Sequence, residues 1–354
     1  MESPTQTQTS RTLQCIRTSI LVLIYLTLST FVFTQFCTYP GVNKDRRILF
    51  SKVLEGEAYR PFAYRVLMPL LIHSTHQVIP QTFWDVFYHY RWKTGIDHEL
   101  FRANIDRDYV DQWYLFRWIS ILCFAGFAIL LSRLLQLTES VKPVEAHPCS
   151  WVGLSLIPLF FGPINTWYDP LALFLFPLCY YCLLKEKTVL YFISFILACL
   201  NKETAIFIVP FFMILYQGRA KRLLFFCQAV VYAVLFFGIR YYFRENPGGV
   251  AEFHLWNTLR FLTTPSILLM VFILKIAAIS FLILSNWRDT NTEVRKCFIY
   301  TIFPLLALFL LWGRMPEIRV FYEVLFLIYI LAYVSLRKLL ISDPFLSESQ
   351  SHTK

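Results

Sequence analysis

Charge is what this sequence lacks most. Only 16% of its 354 residues are charged, whereas 57% are hydrophobic. A soluble protein carries about 25% charged residues, so much of this surface faces something other than water. Glycine is also scarce, at 11 residues, while phenylalanine and tyrosine number 35 and 20. The composition excludes an ordinary soluble protein and favours a helical membrane protein.

Several functional motifs are absent as well. The sequence holds no GxSxG, Walker, HExxH or Rossmann pattern, the marks of hydrolases, nucleotide-binding proteins and zinc proteases. No zinc-finger, RNA-binding or heptad pattern accompanies the net charge of +10. Most basic residues lie instead at the ends of apolar runs, where they orient membrane helices. We therefore expect the lipid bilayer as a partner and no nucleic acid.

Ten apolar runs predict an all-α, polytopic transmembrane helical bundle. They cover 18–36, 113–135, 151–166, 169–184, 188–201, 203–217, 221–241, 265–285, 297–312 and 320–336. Several are near the lower limit of about 17 residues for a span. The pairs 151–166/169–184 and 188–201/203–217 are joined by few residues. Each pair is therefore expected to be a tight hairpin or a helix that returns partway.

The positions of lysine and arginine predict the orientation. With a cytoplasmic N-terminus, fourteen basic residues fall in short inner segments and six in short outer loops. Because short cytoplasmic loops are enriched in these residues, we expect cytoplasmic tails at 1–17 and 341–354 around a transmembrane domain, 18–340. The polar ends, 1–10 and 347–354, are expected to be disordered.

The segment 37–112 is then a long first outer loop. Its apolar stretch 66–80 (VLMPLLIHSTHQVIP) is too short for a span and predicts an interfacial or re-entrant helix. The protein would be a multi-pass protein of a bacterial or archaeal plasma membrane, or of the endoplasmic reticulum in a eukaryote.

In this topology, polar residues gather at the outer face. They are Asp45, Glu55, Glu57, Arg60, Arg65, Asn165, Trp167, Tyr168, Asp169, Asn201, Lys202, Glu203, Arg314, Glu317 and Arg319, with Glu323 just inside the last span. Ionisable groups at the ends of apolar segments cost free energy unless they are paired or face water, so they are candidates for function. We expect them to line a cavity that opens outward and admits a lipid laterally.

Several of these positions resemble motifs of the GT-C superfamily of glycosyltransferases. The segment 45–62 (DRRILFSKVLEGEAYRPF) has an acidic residue soon after the first span, followed by glycine and an aromatic–proline stretch, as in the first outer loop of that superfamily. The continuation 64–70 (YRVLMPL) is similar to the arginine–proline stretch of bacterial and archaeal members. Three later matches are Asp169-Pro170, Asn201-Lys202-Glu203-Thr204 and Glu317-Ile318-Arg319.

The resemblance implies an enzyme that uses a sugar linked to a lipid phosphate. Such a transfer needs a base for the acceptor hydroxyl, a role that suits a carboxylate, and cations for the departing phosphate. Asp45 is the predicted base, with Asp169 or Glu57 as the alternative. The predicted substrate-binding residues are Glu57, Arg60, Arg65, Lys202, Glu203, Arg314, Glu317 and Arg319. No cofactor is expected; a divalent cation at the acidic run 97–111 is the alternative, although Arg102 and Arg107 interleave there.

Structural roles are open for the same residues. Asp45 can be a solvated carboxylate beside its basic neighbours in sequence, and Arg60 and Arg65 can be anchors that reach lipid headgroups. Asp169 can be a helix N-terminal carboxylate followed by proline.

The remaining residues have structural alternatives too. Lys202 and Glu203 can pair with each other. Arg314, Glu317 and Arg319 can form an ion-pair cluster without a substrate.

The leading hypothesis is a transferase that moves the sugar to a lipid, glycan or protein acceptor. The alternatives are a transporter or flippase for lipid-linked or anionic substrates, or a membrane assembly factor without a substrate. Transporters often have paired halves with matching broken segments, and no such symmetry is visible. Lys275, in the middle of the run 265–285, has no partner that the sequence identifies.

Overall fold

The computed structural model describes residues 4–38, 41–162, 165–249, 253–313 and 318–341. Their regular structure is entirely helical, as predicted. In chain order the α-helices are α1 (Pro4–Thr38), α2 (Phe50–Leu54), α3 (Leu67–Val78), α4 (Gln81–Tyr90), α5 (Ile96–Ala103), α6 (Val110–Thr138), α7 (Pro143–Ser155), α8 (Asp169–Leu184), α9 (Thr188–Asn201), α10 (Val209–Leu215), α11 (Lys221–Tyr242), α12 (Leu255–Thr263), α13 (Ile267–Leu284), α14 (Thr292–Trp312) and α15 (Leu325–Ile341). Short 3-10 helices lie between some of them, notably at Ile157–Phe160, Glu203–Ile208 and Ile318–Val324.

Six helical stretches of the described chain are long and apolar enough to cross a membrane. They are Gln14–Thr38, Arg107–Thr138, Lys221–Tyr242, Ile267–Leu284, Thr292–Trp312 and Ile318–Lys338. The shortest has 18 residues, which at 1.5 Å per residue gives a length of about 27 Å, close to the thickness of about 30 Å of a hydrocarbon core. The fold is therefore consistent with a membrane protein.

The predicted count of ten spans is not confirmed. Three of the shorter runs form helices of 16, 14 and 7 residues, namely α8, α9 and α10. The run 151–166 is divided between α7 and the 3-10 helix that follows it. A proline lies near the start of each short segment: Pro158 in the 3-10 helix after α7, and Pro210 in the first turn of α10. Proline has no amide hydrogen and fits only in the first turn of a helix, so it interrupts a longer one.

Helix α1 begins at Pro4, well before the predicted start of the span at residue 18. A helix nucleated in its apolar part extends through neighbouring polar residues at little cost, and proline is tolerated in the first turn. The disorder expected for residues 1–10 stays a prediction. The predicted tail 347–354 lies outside the described residues.

The centre of the bundle is formed by α6, α8 and α15. The most apolar windows of the spans around α6 and α15 are each 67% buried, whereas those of α11 and α13 are only 6% and 11% buried. The latter two helices thus lie at the periphery with apolar surface outward, as helices in contact with lipid do.

The chain between α1 and α6 is anchored to the turn that precedes α8. Asn43 accepts a hydrogen bond from the Phe50 amide and donates one to the Asn104 carbonyl, both at 2.7 Å. The Trp167 indole donates to the Ile48 carbonyl at 2.8 Å, and its ring centroid lies 4.8 Å from that of Phe50. These contacts hold the turn at 165–168 against the chain between α1 and α6, which we call the first segment.

The predicted interfacial helix is present as α3. It has 12 residues, a length of about 18 Å, which is too short to cross a membrane. His73 Nε2 lies 3.0 Å from the Leu54 carbonyl oxygen, which ties α3 to α2. The position of α3 at a membrane surface remains a prediction.

Candidate functional site

Polar side chains from four separate segments meet beside this anchored turn. One precedes α3, one begins α8, one joins α9 to α10, and one leads into α15. Such termini leave backbone groups without helical partners, so polar side chains are common there. We call this set the polar cluster; it consists of Arg65, Asn165, Thr166, Tyr168, Asp169, Asn201, Lys202, Glu203, Thr204, Arg319 and Glu323.

Arg65 and Glu203 form a two-pronged ion pair. Arg65 Nη2 donates to Glu203 Oε1 at 2.9 Å, and its Nε donates to Oε2 at 3.4 Å. Arg65 also donates to the Tyr168 hydroxyl and lies 4.0 Å from the centroid of that ring. Burial lowers the pKa of Arg65, but the Glu203 carboxylate and Tyr168 raise it by more than burial lowers it. The pKa of Arg65 therefore lies above its ordinary value. The guanidinium therefore stays cationic although only 9% of the Arg65 side chain is exposed.

Lys202 and Glu323 form the most deeply buried pair of the cluster. Lys202 Nζ donates to Glu323 Oε1 at 2.6 Å, and Thr204 Oγ1 donates to the same oxygen at 2.7 Å. The side chain of Glu323 has no exposed surface, and that of Lys202 is 10% exposed. This pair ties the end of α9 to the start of α15.

Arg319 and Asp169 form the third ion pair. Arg319 Nη1 donates to Asp169 Oδ2 at 3.3 Å and to Thr166 Oγ1 at 2.7 Å. Asp169 Oδ2 also accepts the Thr166 amide at 2.9 Å. Because Asp169 opens α8 and Pro170 follows it, the carboxylate lies at the positive end of the helix dipole. Asp169 is thus a carboxylate at a helix N-terminus, as the structural alternative has it, and it also belongs to a buried ion pair.

Three cations and three carboxylates therefore balance within the polar cluster. Each cation meets a carboxylate from a different segment of the chain, which satisfies the requirement that charges at membrane depth be paired. The three pairs also cross-link the first segment, α8, α9 and the start of α15.

Four buried acceptor atoms in the polar cluster have no hydrogen-bond partner among the described residues. They are Asn165 Oδ1, Asp169 Oδ1, Asn201 Oδ1 and Glu323 Oε2. In each side chain the other polar atom is engaged: Asn165 donates to the Phe36 carbonyl, for example, and Asn201 to that of Tyr168. The polar cluster can thus accept several further hydrogen bonds from a bound molecule.

Two shallow recesses reach the polar cluster. The first is lined by Ile48, Phe62, Arg65, Trp167 and Tyr168. The second is lined by Tyr64, Glu203, Tyr232, Phe236 and Arg240. Arg240 lies 3.5 Å from the centroid of Phe236 and 4.9 Å from that of Tyr64, held between the two rings.

The predicted base, Asp45, has a different partner from those expected. Its carboxylate pairs with Arg47, with Nη2 and Oδ2 2.6 Å apart. The structural alternative for Asp45 is thus modified: the carboxylate is 13% exposed and pairs with the residue two positions on rather than with its immediate neighbours Lys44 and Arg46. The described contacts of the polar cluster do not include Asp45.

Glu57 and Arg60 are not among those contacts either. Glu57 is exposed to solvent. Arg60 is partly buried, its Nε has no hydrogen-bond partner in the described chain, and its amide donates to the Pro247 carbonyl. Arg314 and Glu317 lie outside the described residues.

Two structural alternatives are excluded. Lys202 and Glu203 do not pair with each other, because Lys202 pairs with Glu323 and Glu203 with Arg65. Arg65 is not an anchor that reaches headgroups, since it is buried and ion-paired.

Sequence reasoning missed Thr166, Tyr232 and Arg240, and it included Thr204 only as the last residue of the match Asn201-Lys202-Glu203-Thr204. The hydroxyls of Thr166 and Thr204 bind Arg319 and Glu323, and no sequence pattern marks Thr166. Tyr232 donates to the Glu203 carbonyl at 3.0 Å. Arg240 closes α11 at the end of an apolar run, a signal that we assigned to topology alone.

The weaker candidates have separate partners. Lys275 donates to the Leu159 carbonyl at 3.2 Å. His76 lies 3.4 Å from Asp111 and stacks on Trp84. In the acidic run, Asp97 pairs with Arg91 and Glu99 with Arg117. No group of three metal-binding side chains is found in the part of the chain that the structure describes.

The fold and the polar cluster together describe a helical protein, consistent with a membrane protein, with a buried ion-paired centre at the helix ends. No protein-family model, curated protein or solved structure matches this chain.

Proposed function

We propose that this protein is a membrane glycosyltransferase that moves a sugar from a lipid-phosphate-linked donor to a lipid, glycan or protein acceptor. One observation carries the proposal. Arg65, Lys202 and Arg319 come from distant segments and meet in one buried cluster with three carboxylates. These are three of the residues to which the resemblance to the GT-C superfamily assigns the donor phosphate.

The proposed topology places the polar cluster at the non-cytoplasmic face. Both termini are cytoplasmic, ten apolar segments lie in the membrane, and the segment 37–112 is outside. The contacts support this arrangement, since the start of α8, the end of α9 and the start of α15 meet at one end of the bundle. The end of α1 joins them through the hydrogen bond from Asn165 to the Phe36 carbonyl.

In the proposed reaction, the phosphate of the donor displaces carboxylates from the cations of the polar cluster. Arginine matches phosphate oxygens with two parallel hydrogen bonds, as Arg65 does with Glu203. Glu203 is the most exposed carboxylate of the cluster, at 28%, so it is the one most readily displaced. Lys202 and Arg319 then stabilise the departing phosphate, and Arg60 and Arg314 are proposed as further cations for it.

The same reaction needs a carboxylate to accept the proton of the acceptor hydroxyl. Asp169 has one engaged oxygen and one buried oxygen without a described partner. Asp45 is held by Arg47. We therefore assign the base to Asp169 first and to Asp45 second, with Glu57 and Glu317 as contacts to the substrate.

The test is transfer by the purified protein in liposomes that contain a radiolabelled polyprenyl-phosphate sugar and a mixture of lipid and glycan acceptors. A general base contributes about 10²–10⁴-fold to the rate, so Asp169→Asn should reduce transfer by that factor. Asp45→Asn is compared in parallel. Asp289→Asn is the control. Asp289 also pairs with a cation, Lys338 of α15, but it is half exposed and does not belong to the polar cluster.

Transfer that survives both Asp169→Asn and Asp45→Asn would refute the assignment of the base. Transfer that is undetectable in the unmodified protein with every donor tested would refute the transferase itself.

A carrier for lipid-linked anions is the second candidate, and Lys275 favours it. This lysine is the one ionisable residue of α13 and lies midway along the most apolar span, where a charge is costly. Its only described hydrogen bond is to a carbonyl, so an anionic headgroup that crosses the membrane could use it. The test follows a fluorescent lipid phosphate as it moves between the leaflets of liposomes that contain the protein. Movement that is lost in Lys275→Met, in a protein that transfers no sugar, would favour the carrier. Absence of both activities would favour an assembly factor.

A further inference from the structure

A separate cavity lies between the last turns of α1 and helix α5. Its volume is about 300 Å³. Helix α1 supplies one wall and α5 with its preceding glycine the other, through Phe33, Thr34, Cys37, Thr38, Gly95, His98, Glu99 and Arg102. None of these residues belongs to the polar cluster. One wall is thus mainly apolar and the other carries ionisable groups, so the cavity suits an amphiphilic molecule.

The polar wall carries one carboxylate, Glu99, which already has close partners, and one arginine, Arg102, which acts on Glu99 only at longer range. Glu99 pairs with Arg117 at 3.2 Å and accepts a hydrogen bond from the Trp113 indole at 3.3 Å. Burial also raises the pKa of Glu99, against the opposite effect of Arg117. Arg102 is exposed and makes no ion pair or hydrogen bond with the described residues. A ligand in this cavity therefore meets a cation that no carboxylate neutralises at contact distance.

The surface around the cavity has the character of a membrane interface. His98, Phe101 and Arg102 lie three and four residues apart, so they share one face of α5. Phe101 is 85% exposed, and exposed aromatic and basic side chains next to the end of a span are typical of the headgroup region. Thr34 and Thr38 are exposed along α1 beside the opening, which leaves a path for acyl chains along the first span.

We propose that this cavity binds the phosphate headgroup of an anionic membrane phospholipid. Arg102 contacts the phosphate, and the acyl chains follow α1 into the bilayer. A free phosphate and a polyprenyl phosphate offer the same anion. The bilayer is the source that the site adjoins, since α1 itself forms one wall. The proposal does not depend on the function of the polar cluster.

The experiment measures lipid retained by the purified, delipidated protein in detergent, by native mass spectrometry. Four probes are titrated separately: phosphatidylglycerol, phosphatidylcholine, polyprenyl phosphate and inorganic phosphate. Phosphatidylglycerol should bind in preference to the other three. One basic side chain near a membrane surface changes affinity for anionic lipid by about fivefold, so Arg102→Gln should weaken that binding by about this factor. Arg102→Lys should retain most of it.

Arg107→Gln is the matched control, because Arg107 is exposed on the same segment but does not line the cavity. It should leave binding of phosphatidylglycerol unchanged. Equal loss in both variants, or no loss in Arg102→Gln, would overturn the proposal. If phosphatidylcholine binds as tightly as phosphatidylglycerol, the preference for an anionic lipid is refuted. If polyprenyl phosphate or inorganic phosphate binds more tightly, the ligand is not a phospholipid.

Discussion

The pair of Lys202 and Glu323 allows a quantitative test of the polar cluster. The two charged atoms are 2.6 Å apart, and the side chains are 10% and 0% exposed. Removal of one partner of a buried pair leaves an uncompensated charge and costs about 3–5 kcal/mol. Lys202→Met should therefore lower the free energy of unfolding by about that amount.

The double variant, Lys202→Met with Glu323→Leu, should recover most of this loss. Apolar side chains of similar volume replace a buried pair with little net change in stability. Because two losses of this size nearly disappear when both side chains are replaced, the coupling free energy of the pair should be at least as large as either single loss. The assay is reversible unfolding in detergent micelles with a denaturant titration, followed by tryptophan fluorescence.

The chain contains a matched control for this cycle. Lys338 and Asp289 are also 2.6 Å apart, but their side chains are 51% and 49% exposed. Exposed pairs couple by about 0.2–1 kcal/mol, so the cycle of Lys338→Met with Asp289→Leu should give a small value. Equal coupling in the two cycles, or a double variant of Lys202 and Glu323 as unstable as the sum of the single ones, would refute the argument from burial.

Three further predictions concern other residues. Arg319→Lys should restore only part of the sugar transfer lost in Arg319→Gln, because lysine cannot form two parallel hydrogen bonds; full restoration would contradict a two-pronged phosphate contact. A cysteine in place of the exposed Lys93 should react with an impermeant reagent from the non-cytoplasmic side of oriented vesicles, and protection there would overturn the topology. The raised pKa of Glu99 means that its contribution to stability is largest below its unfolded pKa and is lost as the pH rises through its folded pKa. Glu99→Gln should therefore reduce that loss in a series of unfolding titrations across pH.

Much of the fold was predictable because membrane helices have a strong signal in sequence. The runs 221–241 and 265–285 coincide with α11 and α13, since nearly every residue there must be apolar whatever its neighbours are. Short helices are harder, because α8 and α9 are buried among other helices and need not reach the full length of a span. Their lengths follow from tertiary packing, which a single sequence does not contain.

The members of the polar cluster were largely predictable, whereas their pairing was not. Lys202 and Glu203 are adjacent in sequence, and adjacency suggested an ion pair. Lys202 adopts an extended backbone, with φ −161° and ψ 139°, so successive side chains there point to opposite sides. One reaches Glu323 and the other Arg65. The partners lie more than a hundred positions away, and only the packing of α9 against the other helices brings them together.

The choice between Asp45 and Asp169 as the proposed base also depends on contacts that the sequence does not show. The sequence favours Asp45 through its place after the first span, but Arg47 occupies its carboxylate. Asp169 instead belongs to a cluster in which four buried acceptor atoms lack a described partner, and each such atom costs about 1–3 kcal/mol. Apolar side chains would have made these helix ends more stable. Several buried acceptors without a described partner in one place are typical of a functional site rather than of a site selected for stability. For this reason we propose Asp169, rather than Asp45, as the base.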